Sequence, residues 1–249
     1  MPRGLRREKS SGFPCAAGSF AAIIRQGIFL KENIGLRPGP ANGTGNSGVP
    51  RSVWMENRKH GGKERTIRMR LFFAICLDEA AKDSLCAAME AMRPGFERAG
   101  FTPRENLHLT LVFLGETPPA RLPALRAAMD AVSAEPFPLC VGGVGCFRQP
   151  GGRLYWAGVE RSGPLMALYD SLRAELERRG FRVDARPYRP HLTLARRAVL
   201  REDDTGSAIA VPVIRVDVKR FSLMRSDLGG GRPVYTELAG KELGKAAEP

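Results

Sequence analysis

The chain has 249 residues, 43% of them hydrophobic and 26% charged, proportions that exclude a fibrous or wholly disordered protein. No apolar run reaches the roughly 20 residues a membrane-spanning helix needs; the longest, Gly18 to Leu30, is broken by Arg25 and Gln26. The formal charge is +13, but residues 1–68 carry 13 Lys and Arg against 4 Asp and Glu, leaving only +4 on the rest, so bulk charge is a weak argument for a nucleic-acid partner.

Residues 1–68 read as an arm outside the domain, either an upstream extension or, as the second choice, a basic targeting segment. They are rich in Gly, Pro, Ser, Asn and Arg, and the one apolar island, Phe20 to Leu30, is too short to offset the entropy of ordering the chain. The domain is expected over residues 69–240, with 241–249 as a C-terminal tail. Cys15, Cys76, Cys86, Cys140 and Cys146 are odd in number and show no CxxC spacing, which argues against a zinc site or a disulfide framework and fits a cytoplasmic location.

A strand is predicted from Met69, followed by a helix that Asp78 caps and that carries Ala81, Leu85, Ala88 and Met92 at helical spacing. Gly100-Phe101 is expected to end it. His108-Leu109-Thr110-Leu111 then reads as a strand, and Ala120 to Ala134 as a helix with Leu122, Leu125, Met129 and Val132 on one face. Strands are predicted over Phe137–Phe147 and from Arg153. Another helix, with Pro164 in its first turn, places Leu165, Leu168, Leu172 and Leu176 on one face and stops at Gly180-Phe181. A second His-Leu-Thr-Leu strand begins at His191, and strands over Val211–Ser226 and Pro233–Leu238 close the domain.

Two of these segments repeat. Arg70-Leu71-Phe72-Phe73-Ala74 matches Arg153-Leu154-Tyr155-Trp156-Ala157, and the His108 tetrapeptide matches that of His191, both at an offset of 83 residues. A shared offset at two places marks two copies of one unit. The expected fold is α+β and bilobal: two pseudo-symmetric strand–helix–strand lobes with antiparallel sheets around a central cleft.

Alternation along a strand puts His108 and Thr110 on one face and Leu107, Leu109 and Leu111 on the other, and it does the same for His191 and Thr193 against Leu192 and Leu194. The leucines anchor each strand, and two imidazoles and two hydroxyls converge on the cleft. Phosphodiester cleavage needs a base for the nucleophile and an acid for the leaving oxygen. Two histidines supply both near neutral pH, and Thr110 and Thr193 can donate to phosphate oxygens. A single strand histidine is more often an ordinary core or surface residue than a catalyst. Here, however, two of the chain's three histidines fall in identical tetrapeptides, and only His60 lies in the arm. No acidic cluster accompanies the pair, so no metal and no other cofactor is expected.

These motifs resemble the 2H phosphoesterase superfamily, in particular its RNA 2′,3′-cyclic phosphodiesterase (2′-5′ RNA ligase) branch. The likeness covers about residues 69–240. It rests on Met69-Arg70-Leu71-Phe72, on Arg104 to Gly115 with its Asn106-Leu107-His108-Leu109-Thr110-Leu111, on Leu154 to Val159 and on Arg189 to Arg196. The resemblance implies hydrolysis of RNA 2′,3′-cyclic phosphate ends to 2′-phosphomonoesters, with weak reverse ligation of a 5′-hydroxyl. It further implies His108 as donor to the departing 3′ oxygen, His191 as acceptor of the proton from water, and Arg196 as a phosphate contact. Strict alternation conflicts with that last assignment, because it turns Arg196 away from His191 and favours Arg197.

Phe72 and, through the repeat, Tyr155 are the candidates for stacking on bases. The expected partner is RNA ending in a 2′,3′-cyclic phosphate, with no metal and no membrane, and with the chain acting as a monomer. Two alternatives stay open: a 2H phosphodiesterase for small cyclic or 2′,5′-linked nucleotides, and a non-catalytic module that binds RNA ends.

Overall fold

Met69–Cys76 forms strand β1, buried from Leu71 to Ile75. The computed structural model describes residues 68–202, 209–229 and 232–244; the expectations for the arm, including Phe20 to Leu30 and His60, lie outside the described residues. After β1, the Asp78 carboxylate accepts the Ala81 amide at 2.8 Å and caps α1 (Glu79–Met92), which buries Ala81, Leu85, Ala88, Met89 and Met92. The helix stops well short of Gly100, because Pro94 has no amide with which to continue it. A 3-10 turn (Arg93–Gly95) leads instead into β2 (Phe96–Phe101), a strand absent from the sequence reading.

β3 (His108–Thr117) carries the first motif. A 3-10 turn (Pro119–Arg121) and α2 (Leu122–Ala131) follow, shorter than the expected helix because Val132 takes an extended conformation. β4 (Phe137–Gln149) and β5 (Gly152–Val159) form a hairpin. α3 (Gly163–Arg178) buries Leu165, Leu168, Leu172 and Leu176. It ends where expected: Gly180 takes φ 73°, and the Phe181 amide donates back to the Leu176 carbonyl at 3.0 Å.

β6 (His191–Leu200) carries the second motif. The strand expected over Val211–Ser226 is two strands, β7 (Ile214–Val218) and β8 (Arg220–Gly229), which enter different sheets. β9 (Arg232–Glu242) is followed by Leu243, which is buried and whose amide donates to the Lys219 carbonyl. The folded unit therefore runs past residue 240, where a tail was expected.

The strands form two antiparallel sheets, β3-β1-β8-β9 and β2-β6-β5-β4-β7. Without β2 their orders correspond: each motif strand pairs with the first strand of its own unit, and a helix connects the two. β2 breaks the symmetry by leaving its own half to pair with β6. Leu109, Leu111, Leu192 and Leu194 point into one core shared with the buried faces of all three helices. Each such burial contributes about 1.5–3 kcal/mol, which pins the opposite, polar face of both motif strands outward. Among the described residues no helix is long and apolar enough to cross a membrane. Among the described residues Cys76, Cys86 and Cys146 are free thiols.

Candidate active site

His108 and Thr110 are half-buried between the buried Leu109 and Leu111, and His191 and Thr193 alternate with Leu192 and Leu194 in the same way. The His108 Nδ1–H donates to the Asn106 carbonyl at 2.7 Å, and the His191 Nδ1–H donates to the Arg189 carbonyl at 2.7 Å. A carbonyl can only accept, so in each ring the proton sits on Nδ1 and Nε2 is left for chemistry. Nε2 of His108 lies 3.0 Å from the Thr110 hydroxyl.

Aromatic rings hold both imidazoles. Phe72 and Tyr235 pack on His108 with centroids 5.0 and 5.2 Å away, and Phe147 and Trp156 flank His191 at 5.7 and 6.1 Å. Gly145 makes room for the Trp156 indole, since a Cβ there would lie 2.1 Å from it.

The conflict over the arginine is resolved by a β-bulge. Trp156 pairs with Thr193 but Tyr155 pairs with Ala195, so β6 carries one extra residue at Leu194. Leu194 and Ala195 are consequently both buried, and the alternation resets to bring Arg196 out on the histidine face. Arg197 takes the left-handed conformation, φ 51°, in a second irregularity between the partners of Arg153 and Tyr155. β3 has the same bulge: Ala74 pairs with Thr110 and Phe73 with Val112.

The aromatic expectations need correction. Cys76 stands opposite His108 and Gly158 opposite His191, so near the motifs β5 is one residue out of step with the sequence offset. Trp156, rather than Tyr155, therefore comes up on the His191 face. Tyr155 is buried in the core with its ring 5.0 Å from Phe96. Phe72 does lie at the site, but at 4% exposure its ring is taken up by His108 and Tyr235. It braces the imidazole and has little face left for a base.

Several residues at the site were not found from sequence. Asn106 is buried, and its side-chain amide donates to the Pro233 carbonyl at 2.8 Å, tying the start of β3 to the strand of Tyr235. The Tyr188 hydroxyl donates to the Thr110 carbonyl at 2.9 Å, joining the approach to β6 to β3, and its ring stacks on Tyr169 at 4.1 Å. Phe147, Trp156 and Tyr235 complete the set. The only sequence signal for Asn106 was its place two residues before the first histidine, a position that Arg189 shares in the second copy.

Burial pushes the His108 pKa below its ordinary value; the bond to the Asn106 carbonyl opposes that, and the Arg196 guanidinium and the neighbouring His191 act in the same direction as burial. The Tyr188 bond to the Thr110 carbonyl draws the approach to β6 against β3. The motif strands thus meet across the cleft, presenting two Nε2 atoms, two hydroxyls and a guanidinium. Among the described residues no group of three or more His, Cys, Asp or Glu could hold a metal ion.

Two antiparallel lobes, each with a histidine–x–threonine strand facing the other, define a 2H phosphoesterase. The chain belongs to the 2′-5′ RNA ligase superfamily, whose profile matches residues 81–230. It is 31% identical over 176 residues to the RNA 2′,3′-cyclic phosphodiesterase of Archaeoglobus fulgidus, a match covering 68% of this chain and 98% of that protein. To the protein of the same name from Thermotoga maritima it is 35% identical, covering 68% and 93%. The fold superposes on E. coli LigT in its apo form with a TM-score of 0.60 at 29% identity, covering 72% of this chain and 99% of LigT. LigT has also been solved in complex with 3′-AMP and with phosphate.

Proposed function

We propose that this chain hydrolyses the 2′,3′-cyclic phosphate at an RNA end to a 2′-phosphomonoester, with His108 as proton donor and His191 as proton acceptor. The observation that carries this reading is the matched anchoring of the two rings, Nδ1–H on a backbone carbonyl in each. That arrangement equips each Nε2 for a single proton transfer at a group seated between them. The names of the A. fulgidus and T. maritima relatives, and the 3′-AMP and phosphate complexes of LigT, support the same substrate class.

In this reaction His191 Nε2 takes a proton from water as the water oxygen bonds to phosphorus. The P–O3′ bond breaks, and His108 Nε2–H protonates O3′, leaving a 3′-hydroxyl and a 2′-phosphate. Thr110 and Thr193 donate to the non-bridging oxygens, and Arg196 balances the charge that builds up on them. The anionic substrate favours the protonated form of His108, offsetting the effect of burial. With a 5′-hydroxyl in place of water, the same displacement of O3′ joins two ends through a 2′-5′ linkage and leaves a 3′-hydroxyl. In this reading side chains of one chain fill every role without metal or cofactor, and the enzyme acts as a monomer on cytoplasmic RNA ends.

End-group analysis of the product from a cyclic-ended oligoribonucleotide, run with chelator present, tests the reading. A 2′-phosphate is expected. A 3′-phosphate would reverse the leaving group and with it both histidine assignments, and no turnover at all would leave a module that only binds.

A further inference from the structure

The β4–β5 hairpin closes on the end of β6 around a cavity of about 370 Å³, lined by Arg148, Gln149, Gly152 and Arg153 of the hairpin and by residues 198–200 of β6. Arg148 pairs with Arg153, and Arg153 with Ala198. The two arginines therefore share the face of β5 that carries Tyr155, away from the histidine face that carries Trp156. Arg153 is half-buried. Its polar neighbours are the Cys146 sulfur, 4.0 Å from Nη1, and the Tyr155 hydroxyl, so no carboxylate among the described residues takes up its charge. Gly152 takes φ 140°, and a Cβ there would lie 2.7 Å from the Ala198 carbonyl oxygen; only glycine lets the hairpin come this close to β6. Arg98 of β2 pairs with Val199 and donates to the Gly151 carbonyl at 3.3 Å, which adds a positive charge at the hairpin turn. The exposed Arg196 and Arg197 precede Ala198, so cations lead along β6 from the histidine face to the cavity.

An RNA strand carries a negative charge at every phosphodiester, and a strand longer than its reacting end lays further phosphates on the protein. We propose that this cavity holds a backbone phosphate of the RNA upstream of the cyclic end, with Arg148 and Arg153 as its donors and Arg197 on the path from the cleft. This rests on the phosphodiesterase reading and deepens it: the substrate is an RNA strand rather than a small cyclic nucleotide. A guanidinium offers parallel N–H donors to phosphate oxygens, and a half-buried one is screened by salt less than an exposed one. Contacts to the backbone read no bases, so the subsite adds affinity for any sequence. A dinucleotide ending in a cyclic phosphate has one further phosphate, next to the reacting one, and cannot reach around the sheet to the cavity.

The test uses the full chain and two substrates that end in a 2′,3′-cyclic phosphate, a long oligoribonucleotide and a dinucleotide. Arg153→Gln and, at the exposed rim, Arg148→Gln are each expected to raise KM for the oligonucleotide about three- to tenfold with kcat kept. KM for the dinucleotide should stay the same in both variants. The slope of log KM against log salt for the oligonucleotide should flatten by about 0.7 in each. Arg148→Gln carries the test alone if thermal melting shows that Arg153→Gln does not fold. Should the wild type turn over neither substrate, the phosphodiesterase reading fails, and fluorescence anisotropy with the same two RNAs then reads the subsite as a change in Kd. An unchanged oligonucleotide value in either folded variant, an equal rise on the dinucleotide, or an unchanged salt slope overturns the proposal.

Discussion

His108 and His191 are held by the same bond: each donates its Nδ1–H to the backbone carbonyl two residues upstream, over 2.7 Å in both rings. Because that bond is made by the main chain, the protonated nitrogen is fixed by strand geometry and not by any one neighbouring side chain. The two rings are thereby prepared as a pair. His108→Ala and His191→Ala are each expected to lower kcat by about 10²–10⁴. The double variant should fall little further, since partners in one step are not additive. Fluorescence anisotropy with cyclic-ended RNA should show binding largely kept, and retained turnover in either single variant would rule out the assigned pair.

The environment of His108 sets the pH dependence. Burial holds its pKa below the ordinary value, and the Arg196 charge and the neighbouring His191 act in the same direction. As a donor His108 must be charged in the free enzyme, so kcat/KM falls as pH rises through its pKa. That fall is expected on the acid side of about 6.5. Arg196→Gln removes one depressing charge, so the His108 pKa rises and the limb moves to higher pH, while activity drops about 10²–10³-fold. A pH–rate series on both proteins checks this, and a limb that stays put would dissociate Arg196 from His108.

Gly145 leaves the space that Trp156 fills beside His191. A Cβ at that position would approach the indole to 2.1 Å, so Gly145→Ala forces the ring to shift. Overpacking of this kind costs about 1–3 kcal/mol. The variant is expected to melt at a lower temperature and to lose kcat, because the displaced indole no longer supports His191. Normal thermal stability together with normal kcat would show that the contact has no role.

Tyr188 links the two motif strands through its bond to the Thr110 carbonyl. In Tyr188→Phe the stacking on Tyr169 can persist while the bond is lost, a difference of about 0.5–1.5 kcal/mol. Urea unfolding should report that loss, accompanied by a kcat decrease of a few-fold as the strands lose register across the cleft. A stability loss with kcat intact would confine Tyr188 to the fold.

Much of this site was legible because two identical tetrapeptides at one offset reveal a duplication, and alternation alone assigns the histidines and threonines to one face. What alternation could not supply was the exceptions to it. The bulge at Leu194 decides between Arg196 and Arg197, and the one-residue slip in β5 brings up Trp156 in place of Tyr155; both depend on how neighbouring strands pair, which no single segment encodes. β2 was missed for a related reason. Phe96 to Phe101 is short and polar, and it becomes a strand by pairing with β6 of the other half. Tyr235 and Asn106 meet His108 only because β9 lies beside β8 and β8 beside β1, contacts far apart in the chain.

Asn106 allows a second pH prediction of opposite sign. Its side-chain amide holds the Pro233 carbonyl, and its own carbonyl holds the His108 ring. Asn106→Ala leaves the Pro233 carbonyl unpaired at a cost of about 1–3 kcal/mol, and the start of β3 loosens from the strand that carries Tyr235. The carbonyl of residue 106 remains but is no longer held in position, so its bond to His108 weakens. That bond raises the His108 pKa against the effect of burial. Weakening it lowers the pKa further, and the alkaline limb of kcat/KM moves to lower pH, the reverse of the Arg196→Gln shift. At a fixed neutral pH less of the donor is charged and activity falls, whereas at acidic pH the variant recovers part of the loss. A pH–rate series of Asn106→Ala beside wild type and Arg196→Gln decides the matter: shifts of Asn106→Ala and Arg196→Gln in the same direction would mean that the carbonyl does not hold the His108 proton.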